Sequence, residues 1–315
     1  MASKRQPPKR ARRRHWTGYV LAFILGAFVA LLGYSYFSHQ AGERPYRRGT
    51  PSKKVSPADK ATQESSPEGK ITEKDILSSL EKEESKPLAP KAALGPRIAI
   101  VIDDLGGENR LSRELLLFDF PVTFSILPFV TYSKSLAIEA PQKGKEVILH
   151  LPMEPHGYPK IKPGAGVLLE EMSEEGLLQQ LDRDIESVPN IKGVSNHMGS
   201  RLMEDPEKLK IILSDLKRRG LFFLDSRTTP QTIGLQTAKL VGVKAMERTL
   251  FIDNSLEEKA IKENLDRLIE VSLSTGMAIG IGHPHSATIR SIREMVPKMK
   301  EKGIELVPLS AFMNE

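Results

Sequence analysis

From Arg97 to the C-terminus the chain alternates short β-branched runs with amphipathic stretches, and this alternation restricts the fold more than any other feature. The runs are Ile98–Ile102, Val122–Leu127, Glu146–Leu149, Gly193–Asn196, Leu221–Leu224, Gly242–Met246, Ala278–Ile281 and Ile304–Pro308. Helical periodicity between them is clearest at Ser173–Ser187, Asp205–Arg219, Leu256–Ser274 and Ile289–Lys302. Asp205-Pro206 supplies an N-cap followed by proline at the first helical position, and Gly220 stops that helix. Repeated strand–helix units predict an α/β domain with a mainly parallel sheet and helices outside it. Seven or eight strands in ~220 residues favour a closed or nearly closed barrel; an open doubly wound sheet is the alternative.

The N-terminal third is different in kind. Residues 16–37, from Trp16 to Phe37, carry no charge. At ~1.5 Å per residue such a helix crosses a hydrocarbon core of ~30 Å. Trp16, Tyr19, Tyr34 and Tyr36 lie near its ends, where amphipathic rings prefer the interface. Residues 1–15 form a basic tail with Lys4, Arg5, Lys9, Arg10, Arg12, Arg13 and Arg14. The positive-inside rule leaves this tail in the cytoplasm and everything after Phe37 on the outer, periplasmic side of the cytoplasmic membrane. A retained single-pass anchor is favoured over a cleaved signal peptide: the apolar stretch exceeds the ~7–15 residues of a signal core, and no small-x-small site follows. Gly18, Ala22, Gly26 and Ala30 put small residues on one helix face, which allows a weak homodimer of anchors or is simply the usual content of a membrane helix. Residues 38–95 are dominated by Pro, Lys, Glu and Ser and read as a disordered linker. Within it Ile71–Glu84 can form a short charged helix with Thr72 as N-cap.

This division explains the charge. The net +6 and pI near 9.3 invite a nucleic-acid reading. Residues 1–54 carry +11, however, which leaves −5 on the remainder. No nucleic-acid partner is therefore expected for the folded part, residues 96–315. The chain has no cysteine, so disulfides, thiolate nucleophiles and cysteine zinc sites are excluded.

The polar residues of the body gather at strand ends. Asp103 and Asp104 end IAIVIDD, His150 ends EVILH, and Asn196 and His197 end GVSNH. Asp225 ends LFFLD two residues before Arg227, and His283 and His285 follow AIGIG. In barrels and open α/β sheets the carboxyl ends of strands meet on one face, where active sites form. Each residue has a plainer role available: an aspartate can cap the next helix, His150 can be a bonded core histidine, Asp225 can pair with Arg227, and Asn196 can hold a loop. Together, ending successive strands, they point to a polar site. Pro284 biases His283 toward an extended backbone, so both histidines can face one side. Carboxylates and neutral imidazoles suit a divalent metal, most simply zinc. A metal with an open position, a carboxylate base and an imidazole acid make a hydrolase of amides or esters. P-loop, dinucleotide-glycine, HExxH and GxSxG patterns are absent from the sequence.

The ordered set IAIVIDDLG, KGKEVILHLPMEP, GVSNHMGSRL, LFFLDSRT and GIGHPH resembles the divergent polysaccharide deacetylase family, a distant branch of the NodB-like carbohydrate esterases. The resemblance spans about Pro96 to Phe312. It implies a distorted (β/α) barrel of about seven strands and removal of N- or O-acetyl groups from glycans. It also implies that Asp103 is a base and Asp104 a metal ligand. His150 matches the first histidine of the H-x-x-x-H metal motif of typical polysaccharide deacetylases, but the second position is Glu154; either Glu154 or His197 then completes the ligand set. His283, or His285 beside it, matches the acid, and Asp225 and Arg227 fall where the family orients catalytic groups. Asn196 is the candidate substrate contact. The expected function is a metal-dependent hydrolase that deacetylates an envelope polysaccharide. The alternatives are a catalytically inactive glycan- or protein-binding module and a hydrolase of a non-carbohydrate amide or ester.

Overall fold

The structure, a computed structural model, describes residues 95–107 and 110–314. The basic tail, the anchor at 16–37 and the linker with its Thr72-capped helix lie outside the described residues. No described helix is long and apolar enough to cross a membrane.

Nine strands and seven α-helices alternate along the described chain. In order they are β1 (Arg97–Leu105), α1 (Arg110–Leu116), β2 (Thr123–Ile126), α2 (Ser133–Gln142), β3 (Glu146–Met153), α3 (Glu174–Ser187), β4 (Gly193–Met198), α4 (Pro206–Arg218) and β5 (Phe222–Asp225). There follow α5 (Gly234–Val241), β6 (Ala245–Glu247), β7 (Leu250–Phe251), α6 (Glu258–Thr275), β8 (Met277–Gly282), α7 (Ser286–Glu301) and β9 (Glu305–Leu306), then a 3₁₀ segment, Leu309–Asn314. The predicted cap is present: the Asp205 carboxylate accepts from the amides of Glu207 and Lys208 at 2.9 and 3.0 Å, with Pro206 opening α4. Asp205→Ala removes both bonds at a helix N-terminus and is expected to lower stability by about 1 kcal/mol, read as a shift of the urea midpoint at unchanged slope.

All the ladders are parallel, in the order β6-β5-β4-β3-β2-β1-β8-β7, with β9 paired to the start of β1. The sheet lies between the two predicted alternatives. No ladder joins the edge strands β6 and β7, so the barrel is not closed. Yet only Arg248 and Thr249 separate them in sequence, and three residue steps span at most ~11 Å. The two edges must therefore approach one another, which curls the sheet around an interior. Strand β7 has no counterpart among the predicted runs, because two residues are too few to make one. The runs at Gly242–Met246 and Ile304–Pro308 shrink to β6 and β9.

Alternation along each strand divides the core into two layers. Ile98, Ile100 and Ile102 of β1 pack in the larger cluster between sheet and helices, while Ala99 and Val101 join Ile148, Leu224, Ile279 and Ile281 in a smaller cluster inside the curl. Val307, Leu309, Phe312 and Met313 complete that inner cluster. The amides of Leu309 and Ser310 bond Thr123 Oγ1 and Glu146 Oε1, each at 3.1 Å, so this segment plugs the end of the curl where the strands begin. The opposite end, where the strands stop, stays open to side chains.

Candidate metal centre

The inner face of the sheet carries the chemistry to that open end. On β1 the sequence Ala99, Val101, Asp103 runs along one face; on β3 Ile148 precedes His150, and on β8 Ile279 and Ile281 precede His283. On β4 Val194 packs outward, so Ser195 and His197 face in. Pleating alone would send Asp104 outward. The β1–β2 register shifts between Ile102 and Leu105, and Asp104 adopts φ +57°, so this left-handed residue turns back toward the site. Aspartate is among the few non-glycine residues that tolerate that conformation.

Asp104, His150 and His197 then converge. Asp104 Oδ1 lies 3.0 Å from His197 Nδ1 and 3.3 Å from His150 Nε2, and the two nitrogens are 3.1 Å apart. Tetrahedral zinc with bonds of ~2.0–2.1 Å separates its ligands by ~3.3 Å, so the three atoms approximate one face of such a tetrahedron. Asp103 Oδ1 and Asp104 Oδ1 are buried and have no hydrogen-bond partner, the condition of acceptors that a cation would satisfy. The donor set and its spacing fit a divalent metal. Burial opposes the charge on Asp104, but the close imidazoles of His150 and His197 outweigh it and hold the carboxyl well below the usual range.

Below the cluster, Ser195 Oγ lies 2.9 Å from His150 Nδ1 and 2.9 Å from Ser125 Oγ, with both serines fully buried. An Nδ1–H donated to Ser195 leaves the Nε2 lone pair facing Asp104 and His197, which is the tautomer a metal needs. Ser195→Ala is expected to weaken metal affinity by about tenfold, measured by competition with a chromogenic chelator.

The opposite wall is built by His283. Its Nδ1 lies 2.9 Å from Asp253 Oδ1, and Asp253 Oδ2 accepts from the His283 amide at 2.7 Å and from Thr288 Oγ1 at 2.8 Å. Burial alone would depress the imidazole, but the bond and charge of Asp253, with smaller help from Asp103 and Asp104, raise its pKa to about 9. The ring stacks at 5.9 Å on Phe251, over which Arg248 lies at 3.8 Å. Arg248 donates from Nε to Ser226 O at 2.9 Å, bracing the gap between the sheet edges. Asp253, Ser195, Arg248 and Phe251 escaped the sequence reading. The available signal for Asp253 was TLFID, an apolar run ending in aspartate like the others but too short to be read as a strand.

A cavity of about 430 Å³ joins these groups, lined by Asp103, Asp104, His150, His197 and His283 with Pro155, Ile161, Met198 and Phe251 among its walls. Other predicted residues are placed differently. Asp225 shares the face of Phe223, which packs toward the helices. Its carboxylate accepts from the Arg227 amide at 2.8 Å and Thr232 Oγ1 at 2.7 Å beneath the start of α5, away from the cavity lining. Arg227 pairs with Glu247 at 2.6 Å on the β6 edge. Asn196 lines the cavity, but its amide is engaged: Oδ1 accepts from the Ser226 amide at 2.8 Å and Nδ2 donates to Met198 O at 2.9 Å. His285 is an exposed residue at the N-cap of α7 and does not line the cavity. Glu154 is outside the metal cluster. Its carboxylate accepts from the Glu170 amide at 2.7 Å and pairs with Arg201 at 3.3 Å, which ties the loop after β3 to the loop after β4.

Comparison with known proteins matches residues 100–313 to the family model "Divergent polysaccharide deacetylase". The chain belongs to the divergent polysaccharide deacetylase family. The uncharacterized protein YibQ of Escherichia coli (strain K12) is 32% identical over 222 residues, 70% of this chain and 69% of that one. An uncharacterized protein of Haemophilus influenzae is 32% identical over 213 residues, 67% of this chain and 74% of that one. Among solved structures, the uncharacterized protein ATU2773 of Agrobacterium tumefaciens C58 superimposes with a TM-score of 0.67 at 28% identity, covering 73% of this chain and 94% of that one. The family match contains both walls of the cavity, from Asp103 to His283.

Proposed function

We propose that this divergent polysaccharide deacetylase is a metal-dependent hydrolase that removes acetyl groups from an envelope polysaccharide, acting on the periplasmic side of the cytoplasmic membrane. The observation that carries the reading is the convergence of Asp104, His150 and His197 in one cavity, with Asp103 on one side and the Asp253-held His283 on the other. A divalent metal, zinc most simply, held by those three residues would polarise the acetyl carbonyl and acidify water. Asp103, buried and lacking a partner at Oδ1, accepts the proton that water loses as its oxygen bonds to the carbonyl carbon. His283, charged at neutral pH, donates its Nε2 proton to the departing sugar nitrogen or oxygen as the bond to the acyl carbon breaks. Acetate and the free amine or hydroxyl result. Asn196, Ser226 and Thr228 shape the cavity floor through their mutual bonds rather than by free donors.

The test is acetate release by the full chain in detergent from acetylated peptidoglycan and chitin-like oligosaccharides, before and after chelation and metal return. Metal-dependent release supports the reading. No bound metal and no release from any of these substrates overturns it and favours an inactive binding module.

A further inference from the structure

The segment between β3 and α3 leaves the sheet at Glu154 and returns at Leu168. Its ends are tied together: the Glu154 amide donates to Leu168 O at 3.0 Å, and the Leu168 amide to Pro152 O at 2.9 Å. The Glu154 carboxylate accepts from the Glu170 amide at 2.7 Å, and Arg201 pairs with both glutamates. Within the excursion the Tyr158 amide donates to Pro155 O at 3.0 Å and the Ile161 amide to Gly157 O at 2.9 Å. A Cβ at Gly157 would stand 2.6 Å from Ile161 Cδ1, so Ile161 packs directly on that glycine. His156 clasps the β4 side: its amide donates to Ser200 Oγ at 3.1 Å, and its Nε2 lies 3.0 Å from Glu204 Oε2. These bonds hold an irregular loop in one shape and present Ile161, 52% exposed, in the lining of the metal-centre cavity.

Lys160 and Lys162 flank Ile161, with Cα atoms ~3.8 Å to either side of its own. Both are exposed, and neither makes an ion pair among the described residues. Residues 155–169 contain no aspartate or glutamate. The carboxylates bonded to the loop are already taken: Glu154 and Glu170 by Arg201, and Glu204 by His156 and Thr229 Oγ1. The unpaired charge of this loop is therefore positive, although residues 55–315 carry a net −5. We propose that the loop is the glycan-recognition element of the site, and that Lys160 and Lys162 select an anionic acetylated glycan, with a carboxylate or phosphate on a sugar next to the acetylated one. A cavity of about 430 Å³ stands near the lower end of the ~300–1,000 Å³ of small-ligand pockets, so most of a polysaccharide lies outside it and crosses the rim. Ile161 covers the sugar inside, and the two ammonium groups act on the sugars that emerge. The inference rests on the glycan reading of the metal centre.

The test follows the methyl resonance of Met198, on the cavity wall, in methionine-labelled full chain supplied with zinc and held in uncharged maltoside micelles. Three ligands share one backbone: chitohexaose, chitohexaose oxidised to carboxylate at C6, and chitohexaose 6-phosphate. A methyl in the cavity reports this site even while the basic N-terminal tail also attracts anions. At least one charged ligand is expected to bind about fivefold tighter than chitohexaose, and the one that does identifies the anion. This advantage should fall below about twofold in ~0.5 M salt, vanish in K160Q/K162Q and persist in K160R/K162R. Equal affinity for all three ligands, an unchanged advantage in K160Q/K162Q, its loss in K160R/K162R as well, or no shift with either charged ligand would each overturn the proposal. Acetate in the same spectra reports hydrolysis separately. A charge-dependent shift without acetate keeps the recognition and sinks the hydrolase reading, whereas acetate release without preference for charge sinks the recognition alone.

Discussion

Asp104→Asn combined with His150→Ala is expected to empty the metal centre and to lower hydrolysis by more than ~100-fold. The pair removes the one charged ligand and one of two imidazoles, which leaves only His197. Asparagine is chosen at 104 because that position holds φ +57°, where alanine would add backbone strain to the loss of the ligand. Removing the Asp104 charge also leaves Asp103 without an adjacent like charge, so the fold is expected to survive, as checked by the thermal midpoint. Metal per chain, read by elemental mass spectrometry, is expected to be equimolar in the parent and near zero in the variant. A variant that retains equimolar metal would place the ion elsewhere. Glu154→Gln is the informative partner experiment. It is expected to keep the metal, because its carboxylate faces the Glu170 amide and Arg201, and to loosen the loop after β3.

The second large effect concerns pH. His283 is raised from 6.5 to about 9 although burial opposes this, because Asp253 more than compensates. A raised folded-state pKa contributes stability that is fully present below about 6.5 and is lost as pH climbs through about 9. Asp253 is shifted the other way: burial raises it, but its bonds from His283 and Thr288 dominate and lower it. Its contribution is present above the ordinary carboxylate range and fades as pH falls through its lowered value. The stability that the parent holds over Asp253→Asn should therefore form a plateau between those limits, shrinking at both ends. Urea denaturation of both proteins across pH 4–10 reads it. In the proposed hydrolysis the parent is expected to keep its acid until about pH 9, whereas in Asp253→Asn burial governs the imidazole. The alkaline limb should then fall by at least about one pH unit. An unmoved limb would show that His283 is not the proton donor.

Much of this site could be read in the sequence as strand-end residues, and less of it as side-chain direction. IAIVIDD, GVSNH and AIGIG run to within one residue of the ends of β1, β4 and β8, whereas EVILH opens β3, which continues to Met153; Asp103, Asp104, His150, His197 and His283 nevertheless meet in one cavity. Asp225 ends β5 just as visibly, yet it turns beneath α5. In an antiparallel sheet with one wet face, alternation would have told Asp225 from Asp103. Here both faces of a parallel sheet are buried, so the runs are apolar throughout and carry no inside-outside label. Asp253 was hidden for another reason. Strand β7 is two residues long, and its pairing with β8 depends on the curl of the whole sheet rather than on local propensity.

What the sequence by itself determined was the order of elements, the capped start of α4, the parallel sheet and the positions where polar groups end strands. Those depend on the period of apolar residues and on local backbone chemistry, which are properties of neighbours in the chain. The tertiary structure decided the rest. The left-handed turn at Asp104 set both aspartates facing the site, and the pairing of β7 with β8 brought Asp253 to His283. It also made His197 a member of the cluster and gave Glu154 a structural bond network. These outcomes depend on distances between residues 16 to 93 positions apart in sequence, which are fixed only when the sheet curls and its layers pack.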